Sequence, residues 1–156
     1  MEEENKSQLE AIKDQLESLE ETINNKFDEF VKSPDTVRVF KGEKLIFSSR
    51  EPRLLPLLEY ARRFAPYEKG VTVCDRVVGN AAALLLKKIL CSEVYSPLGS
   101  EAAIKTLDSF GIKYHFTAVV DCIMDDTRQN MCPMEKMAMG KTSEEFYQLM
   151  SNPKKG

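Results

Sequence analysis

The sequence lacks the closely spaced cysteine and histidine pairs from which structural zinc sites are usually built. It has a single histidine, and no two of its four cysteines form a C-x-x-C pair. Two ligands on one turn are already oriented toward a tetrahedral ion, whereas scattered residues must be assembled from distant segments. We therefore predict no metal site, no bound cofactor and no disulfide framework for the cysteines, which are Cys74, Cys91, Cys122 and Cys132.

The chain also lacks an excess of positive charge and a long apolar run. It has 25 acidic and 22 basic residues and a net charge of -3, a balance that argues against nucleic-acid binding through a basic surface. No stretch approaches the ~20 apolar residues that a membrane-spanning helix needs, and residues 1–6 are polar rather than the apolar core of a secretion signal. We therefore expect a cytoplasmic location, with neither a nucleic acid nor a membrane as partner.

The first segment, residues 5–32, is predicted to be one helix because no proline or glycine interrupts it. Its apolar residues Leu9, Ile12, Leu16, Leu19 and Ile23 step by three and four, as in a heptad seam, which Lys26 interrupts before Phe30. Two interpretations stay open. The helix packs on its own domain, or it forms a short coiled coil that makes the protein a homodimer or binds a partner.

The remaining sequence predicts one α/β domain. Pro34 ends the helix, so we divide the chain into residues 1–33, a domain of residues 36–151, and a frayed tail of residues 152–156. A hairpin of strands 36–40 and 45–47 opens the domain, and a later strand, helix and strand favour parallel pairing. Helices are predicted at 52–66, 75–90, 100–111 and from Thr142, where Thr142 and Glu145 have the spacing of a capping box. Strands are predicted at 93–95 and 112–120.

Two segments are candidates for a functional site. In the first, Asp75, Arg76, Gly79 and Asn80 lead into a helix that is apolar on every side, and the first turn of a helix has amide groups that can bind an anion. In the second, Cys132 precedes Pro133 and a predicted helix start, where the helix dipole favours a thiolate, although Glu135 opposes this effect. The ordinary interpretations are a capped helix and a buried cysteine that fills space.

A third segment, residues 96–100, joins a predicted strand to a helix at the carboxyl end of that strand. Ligands of open α/β sheets often bind at such a place, which makes Ser100 a candidate contact. The spacing matches no phosphate-binding loop, so an ordinary capped connection is the simpler interpretation. His115 has no acid near it in the sequence and is predicted to be a partly exposed strand residue.

Two runs taken together resemble an uncharacterised prokaryotic family, a domain of unknown function. They are Asp75-Arg76-Val77-Val78-Gly79-Asn80-Ala81-Ala82-Ala83 and Met131-Cys132-Pro133-Met134-Glu135. The resemblance covers residues 37–149. It implies a cytidine-deaminase-like fold, a three-layer α/β/α sandwich with a mixed sheet. The family usually carries lysine where this chain has Asn80, so any contact made by that lysine is not available here.

The resemblance also sharpens the expectation about zinc. Zinc deaminases place a His or Cys and a Glu on the buried helix, and Pro-Cys-x-x-Cys at the start of the next helix. The corresponding segments of this chain read Gly79-Asn80-Ala81-Ala82 and Pro97-Leu98-Gly99-Ser100, without a metal ligand or an acid. No zinc-dependent deaminase activity is therefore expected.

The leading hypothesis is a deaminase-like domain, without zinc, that binds a nucleotide or a nucleotide-derived small molecule. Its expected ligand contacts are Asp75, Arg76, Gly79, Asn80 and Ser100, and Cys132 and Glu135 are expected on the other side of the pocket. One alternative is an enzyme with Cys132 as nucleophile and Glu135 or His115 as proton carrier. Another is a partner-binding or oligomerising module that acts through the N-terminal helix.

Overall fold

The computed structural model describes residues 2–151. The predicted frayed tail, residues 152–156, lies outside the described residues. The chain divides into two units after Ser33. One unit is helix α1 (Glu2–Lys32), and the other is an α/β unit that begins at Pro34.

Helix α1 is continuous over 31 residues. Four apolar residues of its heptad pattern, Leu9, Ile12, Leu16 and Leu19, are between 51% and 67% exposed. The apolar stripe is therefore exposed on α1, but a coiled coil formed through it remains a prediction. No helix of residues 2–151 is both long and apolar enough to cross a bilayer.

The α/β unit contains a mixed six-stranded sheet. Its strands are β1 (Val37–Lys41), β2 (Lys44–Ser49), β3 (Val71–Asp75), β4 (Val77–Val78), β5 (Cys91–Ser100) and β6 (Lys113–Val120). Strand β1 pairs antiparallel with β2 and β3, which confirms the predicted hairpin. Strand β5 pairs in parallel with β3 and β4 along one side and with β6 along the other. The parallel pairing of β5 and β6 around a helix was also predicted correctly.

Two predictions in the middle of the chain are wrong. The residues from Val71 to Val78 form β3 and β4, so Asp75 ends a strand and does not cap a helix. The helix expected at 75–90 begins at Asn80 instead. Strand β3 is buried along nearly all its length, and a strand covered on both faces loses the alternation by which strands are recognised.

Strand β5 is longer than predicted and includes the segment 96–100, which was expected to be a loop. Pro97, within this segment, has no amide hydrogen to donate to a ladder. In the structure, pairing with β3 ends at Tyr95 and pairing with β4 starts at Leu98. Pro97 therefore lies between the ladders to β3 and β4, and it also has no partner in the ladder to β6, so the strand accommodates its missing donor.

Five helices complete the α/β unit: α2 (Leu55–Arg63), α3 (Asn80–Lys88), α4 (Glu101–Phe110), α5 (Pro133–Ala138) and α6 (Ser143–Ser151). Helix α3 contacts strand β5 and all four of the other helices. Every residue from Ala81 to Leu86 is buried, which explains why this helix is apolar on all sides. Each buried leucine there contributes roughly 1.5–3 kcal/mol of transfer free energy.

The helix ends follow the sequence signals. The Ser100 hydroxyl accepts a hydrogen bond from the Ala103 amide at 3.0 Å and caps α4, and Gly111 ends that helix with φ +71°. Before α6, the Thr142 hydroxyl accepts from the Glu145 amide at 3.1 Å, and the Glu145 carboxylate accepts from the Thr142 amide at 2.9 Å. The predicted capping box is therefore present.

Replacement of Ser100 by alanine removes the cap of α4 and leaves the buried Ala103 amide without an acceptor. We expect Ser100→Ala to lower the free energy of unfolding by about 1–2 kcal/mol, measured by urea denaturation. Ser109→Ala, an exposed hydroxyl in the same helix, is the matched control and should change it by less than about 0.5 kcal/mol. Equal losses in the two variants would show that the cap does not stabilise α4.

Candidate functional site

The two segments singled out in the sequence line one cavity of about 550 Å³ in the α/β unit. Asp75, Arg76 and Gly79 line it from the first segment, and Cys132 and Glu135 line it from the second. Ligand pockets bring polar groups together from distant parts of the chain. The meeting of these two segments is the central geometric finding, because their spacing in the sequence does not reveal it.

The sheet topology determines where the cavity lies. Strand β3 ends at Asp75, β4 follows at Val77, and the first turn of α3 begins at Asn80. Helix α5 approaches this turn with its own first residues, and the loop after β6 contributes Ile123 and the residues up to Thr127. The cavity is thus at the carboxyl ends of parallel strands, a common ligand position in α/β sheets.

Glu135 closes the amino end of α3. Its two carboxylate oxygens accept hydrogen bonds from the Asn80 amide at 2.8 Å and the Ala81 amide at 3.0 Å. Burial raises the pKa of Glu135 above its ordinary value, while the two amides act in the opposite direction. The anion predicted for this helix start is therefore a side chain of the protein itself.

Gly79 is required for this contact because of space. A Cβ atom at position 79 would lie 2.4 Å from Oε1 of Glu135 and 2.8 Å from Cγ1 of Ile123. Its backbone is extended, with φ -100°, so conformational freedom is not the reason for the glycine. The glycine allows the carboxylate to reach the amides of α3.

Asp75 and Glu135 are both buried carboxyl groups of the cavity, and Asp75 has the larger change in pKa. Burial raises the pKa of its carboxyl to about 7, even though the amides of Arg76 and Val77 donate hydrogen bonds that favour the charged form. Its neighbour Arg76 is held in place by a hydrogen bond from Nε to the Asp35 carbonyl oxygen at 3.0 Å. The cavity thus combines a carboxyl that changes charge near neutral pH with a positioned guanidinium group.

Cys132 lines the cavity, is partly exposed and precedes α5 as predicted. Its amide donates to the Ile123 carbonyl oxygen at 2.9 Å, and its side chain makes no capping hydrogen bond. Both oxygens of nearby Glu135 are engaged by α3. The thiol is therefore accessible from the cavity, but the carboxylate proposed as its proton carrier already has another role.

Three predicted residues are not among those that line the cavity. The Asn80 side-chain oxygen accepts a hydrogen bond from the Thr106 hydroxyl, and Ser100 caps α4. His115 lies in β6, where its ring stacks on Tyr95 with centroids 4.3 Å apart. These positions place the three residues in the framework of the fold.

No sequence pattern identified the residues at the rim of the cavity. Arg53 precedes α2 with φ +57°, a conformation that is uncommon outside glycine, and its guanidinium lies 3.7 Å from the Asp126 carboxylate. Both residues line the cavity, as do Leu54 and Asp125. They come from irregular connections, which have no periodicity to identify them. The strained backbone at Arg53 is visible only in three dimensions.

The fold and the cavity together define a mixed α/β domain with a pocket at the carboxyl ends of its parallel strands. No group of three or more His, Cys, Asp or Glu side chains within residues 2–151 is arranged to hold a metal ion. The pocket is instead built from carboxyl, guanidinium and apolar groups.

The chain belongs to the TM1506 family, a domain of unknown function (DUF1893), whose family model matches residues 26–152. This confirms the resemblance to a family of unknown function, although the matched region begins earlier than the expected residue 37. A crystal structure of a DUF1893 family protein, TM1506 from Thermotoga maritima, is similar in fold, with a TM-score of 0.77 and 24% sequence identity. The similarity covers 85% of this chain and 90% of that one. No curated protein matches the chain.

The contact between Gly79 and Glu135 predicts non-additive effects on stability. Gly79→Ala forces the carboxylate away and should lower the free energy of unfolding by about 1–3 kcal/mol. Glu135→Asp shortens the side chain by one methylene. In that background, Gly79→Ala should lower the free energy of unfolding by less than it does in the parent. A double-mutant cycle by urea denaturation measures the coupling. Strictly additive effects would show that the two residues do not constrain each other.

The raised pKa of Asp75 predicts that the free energy of unfolding depends on pH. Its pKa is about 7 in the folded protein and about 3.8 when exposed, so between these values the folded state alone holds the proton. The free energy of unfolding should therefore fall as pH rises from about 4 to 7, by at most about 1.4 kcal/mol per pH unit, and level off above pH 7.

Urea denaturation of the parent and of Asp75→Asn from pH 5 to pH 8 tests this expectation. The amide does not titrate, so the parent should lose stability relative to the variant as pH rises to 7. Glu135 and Arg76, which line the same cavity, are present in both proteins and do not contribute to the difference. Parallel profiles would contradict the expectation for Asp75.

Proposed function

We propose that this domain binds a nucleotide or a nucleotide-derived small molecule in the cavity between the Asp75 and Cys132 segments. The observation that carries the proposal is that both segments line a single cavity of about 550 Å³. That volume lies within the roughly 300–1,000 Å³ of typical small-molecule sites. It is large enough for a nucleoside and its immediate substituents.

The walls of the cavity suit a flat heterocycle. Ala81, Ala82, Ile123 and Met134 supply apolar surface, against which a base gains free energy by leaving water. Methionine adapts its shape to a planar ring and makes favourable contacts with aromatic groups. A polar ligand without an apolar face would leave this surface unused.

Asp75 is the proposed anchor of the base. Near neutral pH its carboxyl is present both as the acid and as the carboxylate, because its pKa is about 7. The acid donates one hydrogen bond and accepts another, which matches the adjacent donor and acceptor atoms on the edge of a nucleobase. The buried position strengthens such hydrogen bonds relative to those made in water.

The charges of the cavity limit the number of phosphates. Four carboxyl groups and two guanidinium groups line it: Asp75, Asp125, Asp126 and Glu135, with Arg53 and Arg76. A triphosphate would meet more negative than positive charge, and the amides at the start of α3 are already bound to Glu135. We therefore favour a nucleoside or a ligand with few phosphates, which contact Arg53 or Arg76.

The proposal includes a cytidine-deaminase-like arrangement of the sheet and helices, without zinc chemistry. Zinc deaminases need a metal ligand and a proton-carrying glutamate on the buried helix. Here that helix begins Asn80-Ala81-Ala82, and α4 begins after Ser100 without a cysteine. The residue types support ligand binding without zinc-dependent deamination.

Catalysis by Cys132 has less support. The thiol lines the cavity, but Glu135 is engaged by backbone amides and His115 is not a lining residue. The alternative predicts rapid alkylation of Cys132 compared with the other three thiols, since a catalytic thiol is activated. Slow and equal labelling would count against it.

A thermal-shift screen tests the binding proposal. Nucleosides, mononucleotides, dinucleotides and ADP-ribose are added in turn to the full chain. A ligand that binds only the folded state raises its melting temperature, by an amount that grows with concentration above the dissociation constant. We expect a nucleoside-containing compound to raise the melting temperature of the parent, and a much smaller shift for Asp75→Asn. Asp108→Asn, outside the cavity, is the matched control.

The position of the ligand is tested by protection of thiols. A compound in the cavity should slow alkylation of Cys132, while Cys122, which is also partly exposed but does not line the cavity, should react at an unchanged rate. A flat thermal screen of folded protein would overturn the proposal. A shift that leaves Cys132 unprotected and is equal in Asp75→Asn would place the ligand elsewhere.

A further inference from the structure

Strand β6 is an edge of the sheet. Among the described residues, its ladder is with β5 alone, so one side of the strand has backbone donors and acceptors that no strand pairs. All eight residues from Lys113 to Val120 are at least partly exposed. An exposed edge of this length is a template for another strand.

The other edge of the sheet, β2, is protected in ways that β6 is not. The ladder between β1 and β2 has an irregular register between Val39 and Phe40, and such irregularities discourage pairing with a further strand. Strand β6 keeps a constant register along β5. Its last residues, Ala118, Val119 and Val120, are exposed and uncharged.

We propose that β6 pairs antiparallel with β6 of a second copy of this chain, centred on Thr117. In that register Lys113 lies opposite the partner subunit's Asp121, the residue that follows the strand. The two-fold symmetry forms this pair of opposite charges at both ends. A carboxylate and an ammonium directly opposite each other stabilise an antiparallel pair, whereas like charges destabilise it.

The side chains between the two ends also match. On the face that carries Lys113 and Asp121, Thr117 meets its own copy, and His115 meets the partner's Val119. On the other face, Tyr114 meets the partner's Val120, and Phe116 meets the partner's Ala118. Threonine pairs and pairs of aromatic with β-branched residues are favourable across antiparallel strands.

The proposed partner is a second copy of this chain, because the sequence of β6 is complementary to itself when it runs in the opposite direction. Reversal of the sequence about Thr117 brings lysine to aspartate at both ends, and no like charges face each other. The two-fold operation also closes the assembly, since each β6 edge is used once and no open filament forms. Neither Lys113 nor Asp121 takes part in an ion pair within residues 2–151.

A charge-swap experiment on the full chain tests the register. Sedimentation equilibrium should show a concentration-dependent dimer for the parent. Lys113→Asp and Asp121→Lys each place like charges at both ends and should raise the dissociation constant about tenfold or more. The double variant restores opposite charges and should return the constant close to that of the parent. Circular dichroism checks that each variant is folded. If Lys113→Asp does not fold, Asp121→Lys alone tests the register.

Two control variants separate this surface from the others. Leu45→Lys replaces an exposed apolar residue of the opposite edge strand β2 and should leave the dimer unchanged. Leu16→Lys alters the exposed stripe of α1 and should also leave it unchanged. A monomer at all concentrations, or a dimer that dissociates in Leu16→Lys but not in Asp121→Lys, would overturn the proposal.

Discussion

The contact between the Glu135 carboxylate and the first amides of α3 is the constraint on which the pocket depends. The two partners are separated by 55 residues for Asn80 and 54 for Ala81, so the contact joins the late part of the domain to its central helix. It satisfies two amide donors that the helix itself cannot pair. It also explains Gly79, because any larger residue would occupy the space of the carboxylate. The two motifs are therefore halves of one structural unit.

This constraint decides what the pocket can recognise. Many α/β proteins use the positive end of a helix to bind phosphate, but here that position belongs to a side chain with both oxygens engaged. In the proposed binding mode, recognition of a ligand falls to Asp75, Arg76 and the apolar wall. A buried carboxyl is costly unless it is neutral or well bonded, and Asp75 meets this condition through its raised pKa and two backbone amides.

The sequence predicted the parts of the fold that have local signals. The hairpin, the end of α4 at Gly111 and the capping box at Thr142 depend on residues that are neighbours in the chain. Strand β3 was missed because burial on both faces removes alternation, and β4 because it has only two residues. Asp75, which precedes the apolar helix, also resembles a helix cap. Of the site, the sequence predicted the two segments and placed them in one pocket only as a hypothesis, since no local pattern encodes a contact over 55 residues.

The role of Glu135 shows why residue type alone is a poor guide to chemistry. In the sequence it is an acid three residues after a cysteine, a spacing that suggests a proton carrier. In the structure its protonation would remove an acceptor from the amides of α3, so proton transfer through it would weaken the helix that forms the pocket wall. The amides that donate to Asp75 are those of Arg76 and Val77 and do not belong to α3, and its pKa of about 7 makes both protonation states accessible near neutral pH. Any proton chemistry in this cavity therefore has its best physical basis at Asp75.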